Sequence, residues 1–243
     1  MNGEFEENNA KMIARMGEDT KLAEMSRDWM IATIPYQYTY HFTWMGRPII
    51  QLPQDILAVQ EIIWKVKPSV IIETGVAHGG SLIFSASMLQ LIGGAGKVIG
   101  IDIDIRPHNR KAIEEHPMAR RIDLVQGSSI AEETLAQVKA LMPKDGPVLV
   151  ILDSNHTHEH VLRELEMYSP LVTEGSYLIV MDTAVEDIPK EHYPNRPWGP
   201  GDNPKTAVRE FLKTSTRFEV DKPFEDKLLL TVAPEGYLKC IAD

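Results

Sequence analysis

The sequence predicts an α/β protein with a Rossmann-like fold, in which helices cover both faces of a mostly parallel sheet. From about residue 50 onward, short apolar runs rich in β-branched residues alternate with amphipathic stretches of helical period. The first five runs are almost continuously apolar, as expected of strands buried on both faces. Such alternation is typical of parallel strands joined by crossover helices. The last two runs are too close together for a crossover helix and predict an antiparallel hairpin.

The same pattern predicts the position of each element. Strands are expected at Ser69–Thr74, Lys97–Asp102, Ile122–Gln126, Pro147–Asp153, Ser176–Asp182, Phe218–Lys222 and Lys227–Val232. Helices are expected at Gln54–Lys65, Ser81–Ile92, Asn109–Glu115, Ala131–Leu141, Glu159–Ser169 and Pro204–Thr214. A seven-stranded mixed sheet with a C-terminal antiparallel hairpin matches class I methyltransferases better than an all-parallel dinucleotide-binding fold. Because a fold does not define a function, the function has to be argued from the site.

The first fifty residues predict a cap rather than a second domain. Two helices are expected at Lys11–Met25 and Ser26–Ile31, followed by an aromatic stretch. We therefore divide the chain into an N-terminal helical and aromatic cap, residues 1–50, and one methyltransferase-like domain, residues 51–243. The whole chain of 243 residues is long enough for one large α/β domain.

The composition narrows the class of substrate. Apolar residues make up 43% and charged residues 25% of the chain, as in ordinary globular proteins. The formal net charge of -10 disfavours a nucleic-acid substrate, which usually requires a basic surface, and favours a small-molecule acceptor. No apolar run approaches the ~18–20 residues that span a bilayer, and no signal pattern is evident, so we expect a cytoplasmic protein without membrane insertion. The single cysteine, Cys240, excludes a disulfide framework and a cysteine-built metal site within one chain.

The first strand ends in a glycine-rich loop that predicts a cofactor site. The loop runs Glu-Thr-Gly-Val-Ala-His-Gly-Gly-Ser from Glu73 to Ser81, and Ser81 is placed to cap the next helix. It is not the GxGxxG loop of dinucleotide-binding proteins, and Glu73 precedes its first glycine by two residues. A carboxylate there disfavours a pyrophosphate but favours the ammonium group of a methionyl moiety. The alternatives are a glycine-rich turn without this role and, for His78, a solvated loop residue.

The next two strand ends carry polar residues suited to an adenosine group. An acid at the end of the second strand can accept hydrogen bonds from both ribose hydroxyls, and Asp102 is the first candidate, with Asp104 in reserve. The third strand is followed by Ser128 and Ser129, which are placed to face an adenine ring. Ser129 is equally suited to cap the following helix.

Two further acids predict a metal site. Asp153 ends the fourth strand and Asp182 ends the fifth, so their carboxylates are expected to face one another across a cleft. Two such carboxylates repel each other unless one is protonated or a hard divalent cation binds both. Such a cation would orient an acceptor hydroxyl and lower its pKa. The alternative is that one carboxylate caps a helix and the other is solvated.

A general base is also expected at this end of the sheet. His156 follows Asp153 by three residues, and a histidine has a suitable pKa for taking a hydroxyl proton near neutrality. His158 and His160 complete a His-x-His-x-His spacing, but residues two apart on a helix do not share a face, which disfavours zinc. The alternative for His156 is a capping or solvated histidine.

A proline-rich segment follows the fifth strand and predicts a lid. It runs from Glu186 to Pro204, contains five prolines, and carries Tyr193 and Trp198. Long loops without secondary structure are often functional lids. The two aromatic side chains are suited to stacking on a sugar ring, and an exposed linker is the alternative.

Several motifs together resemble the cephalosporin hydroxylase family. The resemblance covers nearly all of the chain after about residue 35. The motifs that carry it are Phe42–Pro48, Gln51–Asp55, Glu73–Ser81, Gly100–Arg106, Leu152–Ser154 and Gly236–Leu238. Despite its name, this family has a methyltransferase fold, and its relatives include rhamnosyl and macrolide-sugar O-methyltransferases that use S-adenosylmethionine and magnesium. The resemblance also implies a homo-oligomer, for which Tyr36–Trp44 is a candidate contact.

The resemblance, combined with the strand-end residues above, predicts a full site. It implies that Asp153 is a metal ligand and that His156 is the general base, in the Asp-x-x-His pattern of the sugar-methylating relatives. Those relatives carry Glu-Asp at the end of the fifth strand, where this chain has Met181 and Asp182. Either the metal keeps an extra water, or Glu186 or Asp187 substitutes, or there is no tight metal. The predicted cofactor contacts are Glu73, Gly75, Ala77, Ser81, Asp102, Asp104, Ser128 and Asp153, and the predicted metal ligands are Asp153 and Asp182.

These expectations favour S-adenosylmethionine-dependent O-methylation of a hydroxyl on a sugar or glycoside, assisted by Mg²⁺ and a histidine base. One alternative is tailoring of a β-lactam nucleus by methylation or hydroxylation, although the two-histidine, one-carboxylate site of non-haem iron oxygenases has no convincing placement here. A second is an NAD-dependent oxidoreductase, which Glu73 disfavours. A third is a non-catalytic partner that binds S-adenosylmethionine.

Overall fold

The computed structural model describes residues 3–242 and contains a seven-stranded mixed sheet. A separate two-stranded antiparallel pair precedes it, formed by β1 (Thr43–Trp44) and β2 (Arg47–Pro48). The strands of the main sheet are β3 (Val70–Thr74), β4 (Lys97–Asp102), β5 (Ile122–Gln126), β6 (Val148–Leu152), β7 (Tyr177–Val180), β8 (Phe218–Val220) and β9 (Tyr237–Cys240). Their order is β5-β4-β3-β6-β7-β9-β8. The first five are parallel, and β9 is antiparallel to both β7 and β8.

Nine α-helices accompany these strands in the described part of the chain. They are α1 (Gly3–Gly17), α2 (Thr20–Thr33), α3 (Pro53–Val66), α4 (Gly80–Ile92), α5 (Pro107–Glu114), α6 (Glu132–Leu141), α7 (His158–Tyr168), α8 (Pro204–Phe211) and α9 (Lys222–Leu228). Among these helices, none combines the length and apolar character required to cross a lipid bilayer.

The sheet has an apolar core on each face. Successive residues of β3 alternate between the two cores, so that Ile72 lies in the same core as Leu165 of α7, and Ile71 in the same core as Ile62 of α3. All of these side chains are buried, which explains why the parallel strands are almost continuously apolar in sequence. The parallel register brings the carboxyl ends of β3, β4, β6 and β7 to one edge of the sheet.

The C-terminal strands confirm the mixed sheet but not the expected short hairpin. The predicted strand Lys227–Val232 is wrong: its first residues belong to α9, and the last strand is β9 instead. The helix forms because Pro223 occupies its first turn and the Asp221 side chain accepts a hydrogen bond from Phe224 N at 3.3 Å. The apolar run after it is held by the buried Asp55 carboxylate, which accepts a bond from Val232 N at 2.9 Å.

The N-terminal helices also differ in their boundary from the prediction. The expected helix Lys11–Met25 is divided between α1 and α2, because Asp19 starts a new helix by accepting a hydrogen bond from Leu22 N at 3.0 Å. In the aromatic stretch that follows, the ring of Tyr38 contacts Trp29 of α2 at a centroid distance of 5.1 Å. The division into a cap and a domain, and the use of this stretch as an oligomer contact, stay predictions.

The pair formed by β1 and β2 packs against the start of α4. Gly80, the first residue of α4, lies directly under the β2 backbone, and a Cβ atom there would stand 2.1 Å from the carbonyl oxygen of Pro48. A backbone oxygen has little freedom to move away, so glycine is required for this contact. Arg47, on β2, reaches from here to the loop that follows β3.

We predict that Gly80→Ala lowers the free energy of unfolding by about 1–3 kcal/mol, as is usual for overpacking a buried contact. Leu91→Ala, at an exposed position of the same helix, serves as the control and is expected to change the free energy by less than about 0.5 kcal/mol. Urea unfolding of the three proteins makes the measurement. Equal stability of Gly80→Ala and the wild type would contradict this packing.

Candidate active site

The loop between β3 and α4 lies against the loop that follows β6. Gly75 has a φ of 92°, and a Cβ atom at this position would stand 1.9 Å from the carbonyl oxygen of Asp153. Its N–H donates a hydrogen bond to Ile101 O at 2.7 Å. Only glycine satisfies both the backbone conformation and the close approach. The loops that end β3, β4 and β6 are thereby joined at one point.

Glu73 is a buried carboxylate without a cationic partner. Its side chain is 1% exposed, Ser81 Oγ donates a hydrogen bond to Oε1, and Oε2 has no hydrogen-bond partner among the described residues. No Lys or Arg between residues 3 and 242 forms an ion pair with it. Burial raises its pKa to about 7, which the bond from Ser81 opposes. The carboxylate is therefore suited to receive a cationic hydrogen-bond donor.

Asp102 and Asp104 occupy different positions at the end of β4. Asp102 Oδ2 accepts a hydrogen bond from Val76 N at 2.9 Å, and its Oδ1 accepts one from Asp104 N at 3.0 Å. These bonds orient the Asp102 carboxylate beside the β3 loop, where it lines a cavity. Asp104 is exposed and is not part of that lining. The geometry thus favours Asp102 over Asp104 as the residue that binds the ribose.

The cavity at the strand ends has a volume of about 480 Å³. It brings together the ends of β3, β4, β5 and β6, because their parallel register places these loops side by side. Glu73 and Ser81 are not part of its lining. Glu73 is buried two residues before Gly75, and Gly75 does line the cavity. Five of the predicted cofactor-binding residues line the cavity: Gly75, Ala77, Asp102, Ser128 and Asp153.

Asp153, His156 and Asp182 form a cluster that fits a divalent cation. One ligand atom from each of the three lies within 4.8 Å of the others, and His156 Nε2 is 3.2 Å from Asp182 Oδ2. Asp182 has a φ of 56°, so the chain turns sharply at the end of β7 and begins a 3-10 helix. Burial, followed by the charges of Asp182 and Glu73, raises the pKa of Asp153. Two carboxylates and an imidazole form a donor set that accommodates such a cation.

Neither proposed substitute for the missing acid at Met181 belongs to this cluster. Met181 itself is buried in the core. Glu186 accepts hydrogen bonds from Gly201 N, at 2.8 Å, and from the side chain of Asn203. Asp187 forms an ion pair with the buried Lys205 at 2.6 Å. Both acids stabilise the segment after β7 instead.

The other two histidines of the His-x-His-x-His spacing point elsewhere. His158 Nδ1 is 2.8 Å from Thr206 Oγ1 of α8, and its Nε2 is 3.2 Å from Glu210. His160 lies on the opposite side of the helix, with Nε2 3.0 Å from Ser129 Oγ. Within residues 3–242 the three histidines share no ligand cluster, and only His156 lies with Asp153 and Asp182.

A second cavity, of about 440 Å³, meets the first at the cluster. His156, Asp182 and Trp198 line both cavities. The second one is mainly bounded by the aromatic N-terminal stretch and by the segment after β7. Its aromatic and polar lining includes Tyr38, Tyr40, Tyr193, Trp198, Gln37, Asn195 and Arg196. Aromatic faces combined with scattered polar groups suit a ligand that carries both apolar ring faces and hydroxyls.

The proline-rich segment covers the junction of the two cavities. The Trp198 ring meets the His156 ring edge-on at a centroid distance of 4.9 Å, and the Arg196 guanidinium lies 5.0 Å from the centre of the Trp198 ring. Lys190 Nζ donates hydrogen bonds to Trp198 O at 2.6 Å and to Arg196 O at 3.2 Å. Burial, followed by the charge of Asp182, raises the pKa of Tyr193. The Lys190 and Arg196 contacts stabilise the segment internally, and the Trp198 ring connects it to the cluster through His156.

Two residues that sequence analysis did not single out hold the β3 loop in place. Arg47 donates a hydrogen bond to His78 O at 2.6 Å and another to Asn109 Oδ1 at 3.0 Å. Asn109 Nδ2 in turn donates to Ala77 O at 2.8 Å. Ala77 has a φ of 44°, which is uncommon for a residue other than glycine, and these bonds hold it there. Arg47 lies in one of the family motifs, whereas no sequence signal marks Asn109.

Comparison with solved structures identifies the class of fold. A Mg-SAM structure of CmcI aligns with 84% of this chain and 78% of its own, with a TM-score of 0.58 and 21% identity. The O-methyltransferase TomG from Streptomyces achromogenes, solved with SAM, aligns with 93% of this chain and 91% of its own, at a TM-score of 0.54 and 15% identity. The fold is therefore that of the class I methyltransferases, as the strand pattern predicts.

Comparison of sequences identifies the family. Residues 36–241 match the family model described as Rhamnosyl O-methyltransferase/CmcI, and the chain belongs to this family. The rhamnosyl O-methyltransferase of Mycobacterium leprae is 31% identical over 220 residues, which are 89% of this chain and 90% of that protein. Its counterpart in Mycobacterium tuberculosis is 30% identical over 223 residues, 89% of this chain and 84% of that protein. The resemblance carried by the sequence motifs is confirmed.

We predict that Glu73 makes the stability of the ligand-free protein depend on pH. Its pKa is about 7 in the folded chain against 4.5 for an ordinary glutamate, so the folded state holds more protons between these values and stability falls as pH rises. Between about pH 5 and about pH 8, the wild type should lose about 2–3 kcal/mol of unfolding free energy relative to Glu73→Gln.

Urea unfolding at the two pH values makes this measurement. Asp104→Asn, which removes an exposed carboxylate from the neighbouring strand end, is the matched control and should follow the wild type. A difference between wild type and Glu73→Gln that is constant with pH would show that Glu73 is not a buried, raised-pKa carboxylate.

Proposed function

We propose that this chain transfers a methyl group from S-adenosylmethionine to a hydroxyl of a sugar or glycoside. The observation that carries the proposal is the meeting of two cavities at His156 and Asp182, one lined by the strand-end loops and the other by aromatic and polar side chains. Rhamnosyl O-methyltransferases among the relatives support a sugar acceptor. Solved neighbours that carry SAM or SAH support the methyl donor.

The first cavity, together with Glu73 two residues before its lining residue Gly75, provides the groups that the methyl donor requires. S-adenosylmethionine supplies an electrophilic methyl group on a sulfonium. Glu73, with its unpartnered buried oxygen, would accept hydrogen bonds from the methionyl ammonium group. Asp102 would accept bonds from the ribose hydroxyls, and Ser128 lines the side of the cavity where the adenine belongs. The glycine at position 75 gives the ligand access to the backbone of the β3 loop.

The cluster of Asp153, His156 and Asp182 fits Mg²⁺, with the two carboxylates as ligands. When bound, the ion would supply Lewis acidity that orients the acceptor hydroxyl and lowers its pKa. Burial, followed by the charges of Asp182 and Glu73, raises the pKa of Asp153 in the ligand-free chain, and a bound cation would offset that repulsion. The cluster therefore has the charge and the donor atoms that such an ion requires.

His156 is the base in the proposed reaction. Its imidazole takes the hydroxyl proton while the acceptor oxygen forms a bond to the methyl carbon and the sulfur–carbon bond breaks. The Asp182 carboxylate, 3.2 Å from Nε2, stabilises the imidazolium that results. The T-shaped contact with the Trp198 ring fixes the imidazole plane and helps to exclude water.

A methyl-transfer assay tests this proposal. Purified protein, S-adenosylmethionine, Mg²⁺ and methyl α-L-rhamnopyranoside should yield a mono-O-methylated sugar, detected by mass spectrometry. His156→Ala should lower kcat by about 10²–10⁴-fold, the usual contribution of a general base, while the affinity for S-adenosylhomocysteine stays within about threefold. His158→Ala is the matched control, because that histidine faces α8.

Two results would count against the proposal. If rhamnosides, other glycosides and β-lactams all remain unmethylated although S-adenosylhomocysteine binds, the result favours the alternative of a non-catalytic binding protein. If His156→Ala and His158→Ala are equally active, His156 is not the base.

We predict that the affinity for Mg²⁺ depends on Asp153 and Asp182 and not on Glu186. Asp153→Asn and Asp182→Asn should each weaken Mg²⁺ binding at least about tenfold, because each removes one charged oxygen ligand. Glu186→Gln is the control, since Glu186 is hydrogen-bonded to Gly201 N outside the cluster. Calorimetric titration with Mg²⁺ in the presence of S-adenosylhomocysteine measures the affinities. If Glu186→Gln loses Mg²⁺ binding while both aspartate variants keep the wild-type affinity, the metal does not bind at the cluster.

A further inference from the structure

Helix α7 presents three polar side chains on one face towards the proposed site. His160, Glu164 and Tyr168 follow one another at intervals of four residues, which places them on the same side of a helix. The proposed reaction uses none of them. They face the two loops that follow β5 and β6, defined here as the adenosine-side loop (residues 127–131) and the catalytic loop (residues 153–157).

The three side chains bind both loops. His160 Nε2 lies 3.0 Å from Ser129 Oγ in the adenosine-side loop and 3.3 Å from Ser154 Oγ in the catalytic loop. Ser154 Oγ donates a hydrogen bond to Glu164 Oε1 at 2.7 Å. Tyr168 OH donates to Ser129 O at 2.8 Å. One helix face thereby ties together the loop that carries Ser128 and the loop that carries Asp153 and His156.

The burial of this network indicates a specific role. Glu164 is fully buried, and its Oε2 has no hydrogen-bond partner among the described residues. Its nearest cationic candidate is His160, at 3.6 Å. A buried carboxylate is costly, and an apolar residue would pack at this helix position without that cost. His160 also lines the first cavity, so the network reaches the place where the methyl donor is proposed to bind.

We infer that His160, Glu164 and Tyr168 are positioning residues that couple the adenosine-side loop to the catalytic loop. Occupation of the first cavity by an adenosine group fixes Ser128 and Ser129. The network transmits that constraint through Ser154 to Asp153 and His156. The methyl donor thus helps to order the base that acts on the acceptor. This inference rests on the proposed function for the identity of the ligand, but the coupling of the loops is a property of the chain itself.

The test compares His160→Phe with His158→Phe. Both variants keep a ring and remove its nitrogens, but His158 contacts α8 instead of the loops. Hydrogen exchange of the ligand-free proteins should be faster in both loops for His160→Phe and in neither for His158→Phe. The dissociation constant for S-adenosylhomocysteine should rise about tenfold in His160→Phe, and kcat with methyl α-L-rhamnopyranoside should fall, whereas the KM for the rhamnoside should stay unchanged.

Glu164 provides a second, independent variant pair. Glu164→Gln keeps an oxygen that accepts the bond from Ser154 and should retain slow exchange in both loops. Glu164→Leu removes the acceptor and should reproduce the His160→Phe behaviour. The coupling would be overturned if hydrogen exchange in His160→Phe became faster in only one of the two loops, or in neither. If the wild type binds no S-adenosylhomocysteine, the proposed function fails, whereas the exchange data still decide the coupling.

Discussion

The structure is organised around three carboxylates that lie at one edge of the sheet without a Lys or Arg partner. Glu73, Asp153 and Asp182 end three neighbouring parallel strands, so the fold itself forces their charges together. No Lys or Arg in the described chain forms an ion pair with any of the three. Burial raises the pKa of Glu73, and burial together with the charges of Asp182 and Glu73 raises the pKa of Asp153. An arrangement of this kind is stable only when protons or cationic ligands compensate it, and the proposed ligands are an ammonium, a sulfonium and Mg²⁺.

The surrounding scaffold keeps these groups in place through short-range contacts that tolerate little change. Gly75 allows the β3 loop to approach the Asp153 backbone, and Arg47 and Asn109 hold the same loop from the opposite side. Helix α7 connects the next two loops through His160. The proposed catalytic groups therefore lie on loops, but each loop is fastened to a neighbouring element, as a precise site requires.

The parallel core and most of the candidate site could be predicted from sequence. Buried strands are almost continuously apolar, so β3 to β7 were located to within two residues, and the polar residues that follow them necessarily meet at one edge. The helix α9 was missed because an apolar run at Leu228–Val232 suggested a strand, whereas Asp221 and Pro223 start a helix just before it. Contacts between residues far apart in sequence, such as Asn109 with Ala77, carry no local pattern and could not be predicted.

Calorimetric titration of the protein with S-adenosylmethionine, and separately with NAD, tests the central claim most directly. Near pH 7 the Glu73 carboxyl is partly protonated in the ligand-free chain, so binding of an ammonium group should release a proton. Titration in buffers of different ionisation enthalpy measures that release. We expect S-adenosylmethionine to bind tightly and to release a proton, and we expect no binding of NAD. The proton release should be absent in Glu73→Gln. Tight binding of NAD, together with no heat of binding for S-adenosylmethionine, would contradict the role of Glu73 and with it the proposed methyl transfer.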